Sequence, residues 1–187
     1  MNTFEQAATL LTEAERQIGI GAVEGRTARV RERAVVAAIS DLGRKEGNAA
    51  RNLMTANGRS IPEYWMWAED PPGWEDWCAA SVSHWIRRGL GLPDWPATGY
   101  APTLPGHPFE RWFVGVGQIF DWGEASGAFL RRPVAGCIFL DGKRHTGLVA
   151  YVEGDSVVTV EGNWSNQVST VRRSTATLSH FVRWWAV

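Results

Sequence analysis

Apolar residues recur at helical spacing in two segments near the start of the chain. Residues 4–18 carry them on one face, and the pattern ends before two glycines at positions 19 and 21. Residues 28–42 repeat the pattern and end at Gly43. An apolar stripe of this period is typical of a helix packed on a core, and glycine is a common stop signal. The sequence therefore predicts two amphipathic helices.

A third helix is predicted from Asp76 to Arg88. Asp76 is a suitable N-cap, and glycines follow the helix at positions 89 and 91. The segments on either side, residues 44–75 and 92–133, are rich in turn-forming residues. We expect both segments to be connections, and the second is long enough to carry function.

After Pro133 the pattern changes to short apolar runs of strand length. Residues 137–140 form one run. Residues 146–152 and 156–160 flank the three-residue turn Glu153-Gly154-Asp155, which predicts a β-hairpin. Further strands are predicted at residues 168–172 and 181–187. Helices followed by an antiparallel sheet indicate the α+β class.

Length and charge narrow the function classes. A chain of 187 residues fits one domain, in which we expect residues 1–28 to form an accessory helix and residues 29–187 the core. The net charge of -1 gives no general attraction to nucleic acid or anionic lipid. A membrane span would need a run of about 18 apolar residues, and we expect none. The first residues lack a positive n-region and an apolar h-region, so synthesis in the cytoplasm without a Sec signal peptide is expected.

Cys78 is the candidate nucleophile. It lies two residues after the predicted N-cap and therefore in the first turn of the third helix. Backbone N–H groups and the positive end of the helix dipole favour a thiolate there, and the same N–H groups can stabilise an oxyanion. A small buried structural cysteine would give the same local pattern, so a base has to be found.

His145 is the candidate base, at the head of the predicted hairpin. If paired residue numbers sum to 308, His145 faces Asn163, and Glu161 is its diagonal neighbour on the same face. A slip of one residue would place Gly162 opposite His145 instead. A histidine held by such polar partners is the arrangement that orients a catalytic base. This register predicts a Cys–His site that also contains Glu161 and Asn163.

The other cysteine and histidine residues do not indicate a metal or a cofactor. Cys137 lies in an apolar run and is expected to be buried. His84 lies off the Cys78 face, so we expect it at the surface or behind the site. The histidines and cysteines lack zinc-site spacings, and the acidic residues before Cys78 form no D-x-D ladder, so neither zinc nor calcium is predicted.

Tryptophan is the most unusual feature of the composition. There are eleven, of which eight fall between Trp65 and Trp122. We expect Trp85 in the core and two or three others in a cleft, since indole rings stack on sugars and pack against peptides. The candidates for the cleft are Trp65, Trp67, Trp74, Trp112, Trp122 and Trp164. For substrate binding we favour Trp74, Trp77 and Trp164, because each lies near a candidate catalytic residue in the sequence.

Four short segments stand out together: Gly73-x-x-x-Trp77-Cys78-Ala79-Ala80, Pro133-x-x-Gly136, His145-x-Gly147-x-Val149 and Glu161-Gly162-Asn163. In this order and spacing they resemble the CHAP family, the cysteine, histidine-dependent amidohydrolases and peptidases of the papain-like clan. The resemblance extends over residues 36–185. Cys137 is a departure, because such proteins usually have aspartate after the glycine of the second segment.

The resemblance implies a papain-like fold with the nucleophile at a helix N-terminus, and bacterial peptidoglycan as the substrate. Cys78 would be the nucleophile and His145 the general base, while Glu161 would orient the imidazole and Asn163 would assist. The bond would be a stem-peptide amide, cleaved through a thioester by an N-acetylmuramoyl-L-alanine amidase or a peptide endopeptidase. The protein would act in the cell wall or periplasm as a phage lysin or as an injected antibacterial effector, the latter requiring an immunity protein.

Two other functions are compatible with the sequence. One is a cysteine amidohydrolase that acts on an amide outside the cell wall. The other is a wall-binding module with an inactive site. Rapid alkylation of Cys78 would argue against the inactive module, and analysis of digested peptidoglycan would separate the two hydrolases.

Overall fold

The structure is a computed structural model that describes residues 3–20, 25–46, 53–54, 77–92, 113 and 115–185. Within these ranges there are four α-helices: α1 (Thr3–Ile20), α2 (Gly25–Ser40), α3 (Cys78–Gly89) and α4 (Val116–Ala125). None of the described helices is both long enough and apolar enough to cross a membrane.

The strands of the described chain form one antiparallel sheet. They are β1 (Lys45–Glu46), β2 (Leu53–Met54), β3 (Phe129–Leu130), β4 (Ile138–Asp141), β5 (His145–Glu153), β6 (Ser156–Trp164), β7 (Gln167–Ser174) and β8 (His180–Val182). Their order across the sheet is β2-β1-β7-β6-β5-β4-β8-β3, and every neighbouring pair is antiparallel. Helices precede most of the sheet, so the α+β class is confirmed.

The β5–β6 hairpin has a shorter turn than the sequence predicts. Glu153 pairs with Ser156, so the turn holds two residues rather than three. Gly154 takes a φ of 58°, a left-handed conformation that glycine adopts without steric cost. The register near the turn is therefore displaced by one residue from the predicted one.

A β-bulge restores the predicted register toward the open end of the hairpin. The register shifts between Val149 and Tyr151, so that Leu148 pairs with Val160 as predicted. An extra residue in one strand of an antiparallel pair has this effect, because it changes which residues are opposite each other beyond that point. The shorter turn and the bulge thus shift the register in opposite directions, and the predicted register has returned by Leu148.

Helix α4 lies in a segment that the sequence analysis treats as a connection. Its ten residues include two glycines, which weaken the helical pattern, and it begins without an acidic first turn. The Gln118 side chain accepts a hydrogen bond from the Gly115 backbone N–H at 2.9 Å, which caps the helix start. Gly123 lies against Phe129, where a Cβ would come within 2.7 Å of the ring, so close packing explains this glycine.

Two apolar clusters lie on the two faces of the sheet. The larger one contains buried residues of α1, α2 and α3 together with Leu148 and Val160. The smaller one contains Cys137, Phe139, Val149, Val157, Leu178 and Phe181. Trp85 is completely buried, as expected, and its indole Nε1 donates to Asp41 Oδ2 at 2.9 Å.

Helix α1 packs on the domain through apolar and polar contacts. Leu10, Ala14 and Ile18 are buried in the larger cluster. The Gln17 amide donates to the Val152 carbonyl at 2.7 Å and accepts from the Val152 N–H at 2.8 Å. Among the described residues, β4 pairs with β5 only as far as Leu148, so Val152 has a strand partner on its β6 side alone. Gln17 therefore satisfies the two backbone groups of Val152 on the other side.

Replacing Gln17 by alanine is expected to lower the free energy of unfolding by about 1–3 kcal/mol, because it leaves two backbone groups unsatisfied. Urea denaturation followed by circular dichroism would measure the change. Glu15→Ala, on the exposed side of the same helix, is the matched control and should stay within about 0.5 kcal/mol. Equal stability of both variants would contradict a bracing role for Gln17.

Candidate active site

Cys78 is the first residue of α3. Trp77 rather than Asp76 is the N-cap, because the Trp77 carbonyl accepts the first helical hydrogen bond, from Ser81 N–H at 3.0 Å; Asp76 itself is outside the described residues. The side chain of Trp77 makes no capping hydrogen bond to the helix start. The first N–H groups of an α-helix have no partner within the helix, so they surround the thiol with positive potential.

Strand β6 approaches the start of α3 closely enough to require glycine. A Cβ at Gly162 would lie 2.6 Å from Ser81 Cβ and 2.9 Å from the Trp77 ring. Real side chains do not pack at such distances, so any larger residue would push the strand away from the helix. Gly162 therefore sets the separation between Cys78 and the residues of β6.

Gly162→Ala is expected to cost about 1–3 kcal/mol of unfolding free energy and to slow Cys78 alkylation, because strand and helix must separate. Thermal denaturation and iodoacetamide labelling would measure the two effects. Gly154→Asn is the control, since a Cβ there meets nothing within 4 Å and asparagine tolerates a φ of 58°. A Gly162→Ala variant as stable and reactive as this control would contradict the spacing role.

His145 lies between Cys78 and Glu161. Its Nε2 is 2.7 Å from Glu161 Oε2, and the thiol of Cys78 is a second hydrogen-bond partner of the ring. Since Nε2 is engaged by Glu161, Nδ1 is the nitrogen left to face the thiol. Burial opposes protonation, but the bonds to Cys78 and Glu161 outweigh it and raise the pKa of His145 to about 9. At neutral pH the ring is therefore an imidazolium.

Two residues that the sequence analysis missed hold Glu161 in place. Arg173 Nε donates to Glu161 Oε1 at 2.6 Å and Arg173 Nη2 donates to Oε2 at 2.8 Å. The Thr159 hydroxyl donates to Oε1 at 2.5 Å. The Glu161 side chain is completely buried, which opposes ionisation, but these bonds and the one to His145 lower the pKa of Glu161. It is a carboxylate with its acceptor sites filled.

A second β-bulge brings Trp164 to the same side of the sheet. Glu161 pairs with Ser169 whereas Trp164 pairs with Gln167, so β6 has one extra residue between these pairs. The extra residue reverses the alternation of side chains, and Trp164 lies on the Glu161 side. Its ring centroid is 5.8 Å from that of His145, and 40% of the residue is exposed.

Asn163 lies within this bulge. It is half-buried and has a φ of 59°, the left-handed region that asparagine adopts more readily than most residues. The predicted pairing of Asn163 with His145 falls beyond the last described pair of the β5–β6 ladder. The structure therefore places Asn163 beside the site as the residue that turns the strand toward Trp164.

The remaining candidates lie in different surroundings. Trp77, which we expected to bind substrate, is 3% exposed and belongs to the larger apolar cluster, so its indole is a packing element. Trp74 is outside the described residues. His84 is not at the surface: it is buried, and burial together with Arg88, Arg44 and Arg87 lowers its pKa to about 3, which keeps it neutral.

Cys137 differs chemically from Cys78. It is completely buried in the smaller cluster, as expected, and burial raises the pKa of its thiol to about 12. A thiol is nucleophilic only as a thiolate, so Cys137 is inert in the folded protein. Cys78 is the cysteine that has an imidazolium partner.

The arrangement has the components of covalent acyl transfer. Cys78 can supply a sulfur nucleophile, His145 can hold a proton next to it, and the bond from Glu161 can fix the imidazole. The N-terminal N–H groups of α3 can donate hydrogen bonds to the developing oxyanion. Nucleophile, proton carrier and orienting carboxylate form a continuous chain, as covalent catalysis by cysteine requires.

Comparison with known proteins found no relative of this chain. No protein-family model, curated protein or solved structure matches the chain. A function for the site has to be inferred from its own residues.

Proposed function

We propose that this protein is a cysteine hydrolase that cleaves an amide bond in the stem peptide of bacterial peptidoglycan. The observation that carries the proposal is the chain of contacts from Cys78 through His145 to Glu161 at the start of α3. Each member is buried or half-buried and held by packing, which is the preorganisation that catalysis requires. The assembled chain argues against an inactive wall-binding module.

The reaction begins from a thiolate–imidazolium pair. The Cys78 thiolate attacks the amide carbonyl carbon, and the carbonyl oxygen becomes an oxyanion facing the first N–H groups of α3. As the C–N bond breaks, His145 transfers its proton to the departing amine. The acyl group remains on sulfur as a thioester. The proton thus resides on His145 before attack, rather than moving from Cys78 during it.

Water completes the cycle. Neutral His145 accepts a proton from water as the hydroxyl oxygen attacks the thioester carbonyl. The C–S bond then breaks, the carboxylic acid leaves, and Cys78 returns as a thiolate beside the imidazolium. Glu161 keeps Nε2 engaged throughout, so that Nδ1 faces the sulfur in both half-reactions.

Peptidoglycan as the substrate rests on the resemblance to the CHAP family and on Trp164. The described Trp164 ring is exposed beside His145, and an indole in that position can stack on a sugar or cover a stem peptide. The same resemblance supports a papain-like fold. The bond is that of an N-acetylmuramoyl-L-alanine amidase or of a peptide endopeptidase.

Access to the wall requires delivery. We propose release as a phage lysin or injection as an antibacterial effector, with action in the cell wall or periplasm. In the second case the producing cell would need an immunity protein. A partner that covers His145 and Trp164 would block the site, because both side chains are partly accessible there.

Digestion of purified peptidoglycan sacculi tests the proposal at the level of bond class. We expect the protein to release primary amines without new reducing sugar ends, because it hydrolyses amides and not glycosidic bonds. Cys78→Ser is the control and should release neither. New reducing ends would contradict the proposed reaction.

Iodoacetamide labelling identifies the alternative if no amines appear. Cys78 labelled much faster than Cys137, with the sacculi unchanged, would indicate an amidohydrolase acting on another amide. Equal, slow labelling of both cysteines would indicate an inactive module. Either result would overturn the proposed function.

A further inference from the structure

Arg173 makes the densest set of contacts around Glu161. Its guanidinium binds both carboxylate oxygens, and its side chain is only 12% exposed. Arg173 pairs with Val157 across the β6–β7 ladder, so its side chain extends past Thr159 to reach Glu161. A bidentate pair of this kind fixes both distance and orientation.

Aromatic rings also hold the guanidinium. The Cζ atom of Arg173 lies 4.7 Å from the Trp164 ring centroid and 5.2 Å from the Phe139 ring centroid. Cation–π contacts of this kind favour the planar, permanently charged arginine side chain. The hydrogen bond to Glu161 raises the pKa of Arg173 further. Arg173 is therefore a fixed positive charge in the partly buried site.

Charges in the site balance only if Arg173 is counted. In the reactive state proposed above, the Cys78 thiolate and the Glu161 carboxylate are two negative groups, and the His145 imidazolium is one positive group. Arg173 is the second positive group. Uncompensated buried charge is costly, so a site with a single positive group would hold only one of the two negative groups in its ionised form.

We propose that Arg173 is a positioning residue: it neutralises Glu161 and holds it against His145, so that the imidazolium remains available to stabilise the Cys78 thiolate. This inference rests on the proposed role of Cys78 as the nucleophile, but not on the identity of the substrate. Among the described residues, the other ionisable group that acts on Arg173 is Asp141 of β4, which is itself paired with Arg144.

Iodoacetamide labelling of Cys78 across pH 5–9 tests the inference without any substrate. Arg173→Met should slow labelling at pH 7 at least about tenfold, because the thiolate is the form of cysteine that reacts with iodoacetamide. Arg173→Lys keeps the charge but loses the bidentate geometry, so its labelling rate should lie between those of Arg173→Met and the wild type. Arg172→Met is the matched control, because Arg172 is exposed on the same strand and pairs with Glu153.

The double variant Glu161→Gln with Arg173→Met distinguishes charge balance from packing. It removes one negative and one positive group. At pH 6, where most of His145 stays protonated even without the Glu161 carboxylate, labelling of Cys78 should therefore recover to near the wild-type rate at that pH. A purely structural role for Arg173 would leave the double variant as slow as Arg173→Met. Labelling of Cys137 in the same samples reports unfolding, because that thiol reacts only when the core opens.

Two results would overturn the inference. One is an Arg173→Met protein that stays folded and labels as fast as the wild type. The other is a slow double variant. If Arg173→Met does not fold, the double variant decides, and slow labelling of that variant at pH 6 contradicts the role. Sacculi left intact by the wild type would refute the proposed function while leaving this test in force.

Discussion

Replacing Cys78 by alanine is expected to lower the rate of peptidoglycan amide cleavage at least about 10³-fold, since the covalent route is lost. The fold should survive, because the change removes one atom at a helix start. Cys78→Ser should be nearly as inactive, because a hydroxyl is far harder to ionise than a thiol and the imidazolium partner cannot act as its base. Amine release from sacculi would measure both variants.

Cys137→Ala is the matched control for this prediction. Burial raises the pKa of Cys137 to about 12, so this thiol supplies no nucleophile, and the variant should cleave at the wild-type rate. His145→Ala should lose about 10²–10⁴ of the rate, because proton transfer in both half-reactions is lost. The mechanism would be contradicted if Cys78→Ser and His145→Ala both still cleared a sacculus suspension.

The second large effect is expected for Glu161→Gln, and it depends on pH. In the wild type the pKa of His145 is raised from 6.5 to about 9, so the imidazolium is present below that pH and is lost as pH rises through it. Loss of the carboxylate should return the pKa toward 6.5. At pH 8 the imidazolium fraction, and with it the rate, should fall by up to about 30-fold, the value for a complete return of the pKa to 6.5.

The pH dependence separates this effect from a change in packing. Near pH 6 most of His145 is imidazolium in both proteins. The difference between their rates should therefore be smaller at this pH, and the remaining difference comes from a less well-oriented His145 ring. Glu153→Gln, at an exposed pair on the same hairpin, should leave the alkaline midpoint near 9. An unchanged midpoint in Glu161→Gln would contradict the proposed hydrogen bond between Glu161 and His145.

The same linkage affects stability. The folded pKa of His145 lies above its unfolded value, so its protonation stabilises the fold fully below pH 6.5 and the contribution is lost between pH 6.5 and about 9. His84 behaves in the opposite way. Its pKa is lowered to about 3, so the unfolded state takes up a proton as pH falls below 6.5, and stability decreases on that side.

The sequence predicts the architecture well where a periodic pattern is long. Helices α1 and α2 and strands β5 and β6 lie where the apolar spacing places them. Helix α4 is not predicted because its two glycines weaken the helical pattern. One of them, Gly123, is required by packing against Phe129, a contact that the pattern of the helix itself does not show. Local periodicity does not carry information about such a partner.

The site was predictable where it depends on strand register. Cys78 at a helix start and His145 near Glu161 follow from capping and from alternation, although the hairpin has a shorter turn and a compensating bulge. Arg173 is not predicted because the predicted strand ends at residue 172, whereas β7 continues to Ser174 and includes Arg173. Trp77 is predicted to bind substrate, but it is buried in the larger apolar cluster. Nearness to Cys78 in the sequence does not show whether an indole at the helix start faces the core or the site.

Tandem mass spectrometry of muropeptides, from sacculi digested in parallel by the wild type and by Cys78→Ala, tests the central claim most directly. We expect the wild type to yield products in which one amide of the stem peptide has gained water, leaving a new amine and a new carboxylic acid. Cys78→Ala should yield none of them. The same products from both proteins, or unchanged muropeptides from the wild type, would contradict the claim that Cys78 cleaves a peptidoglycan amide.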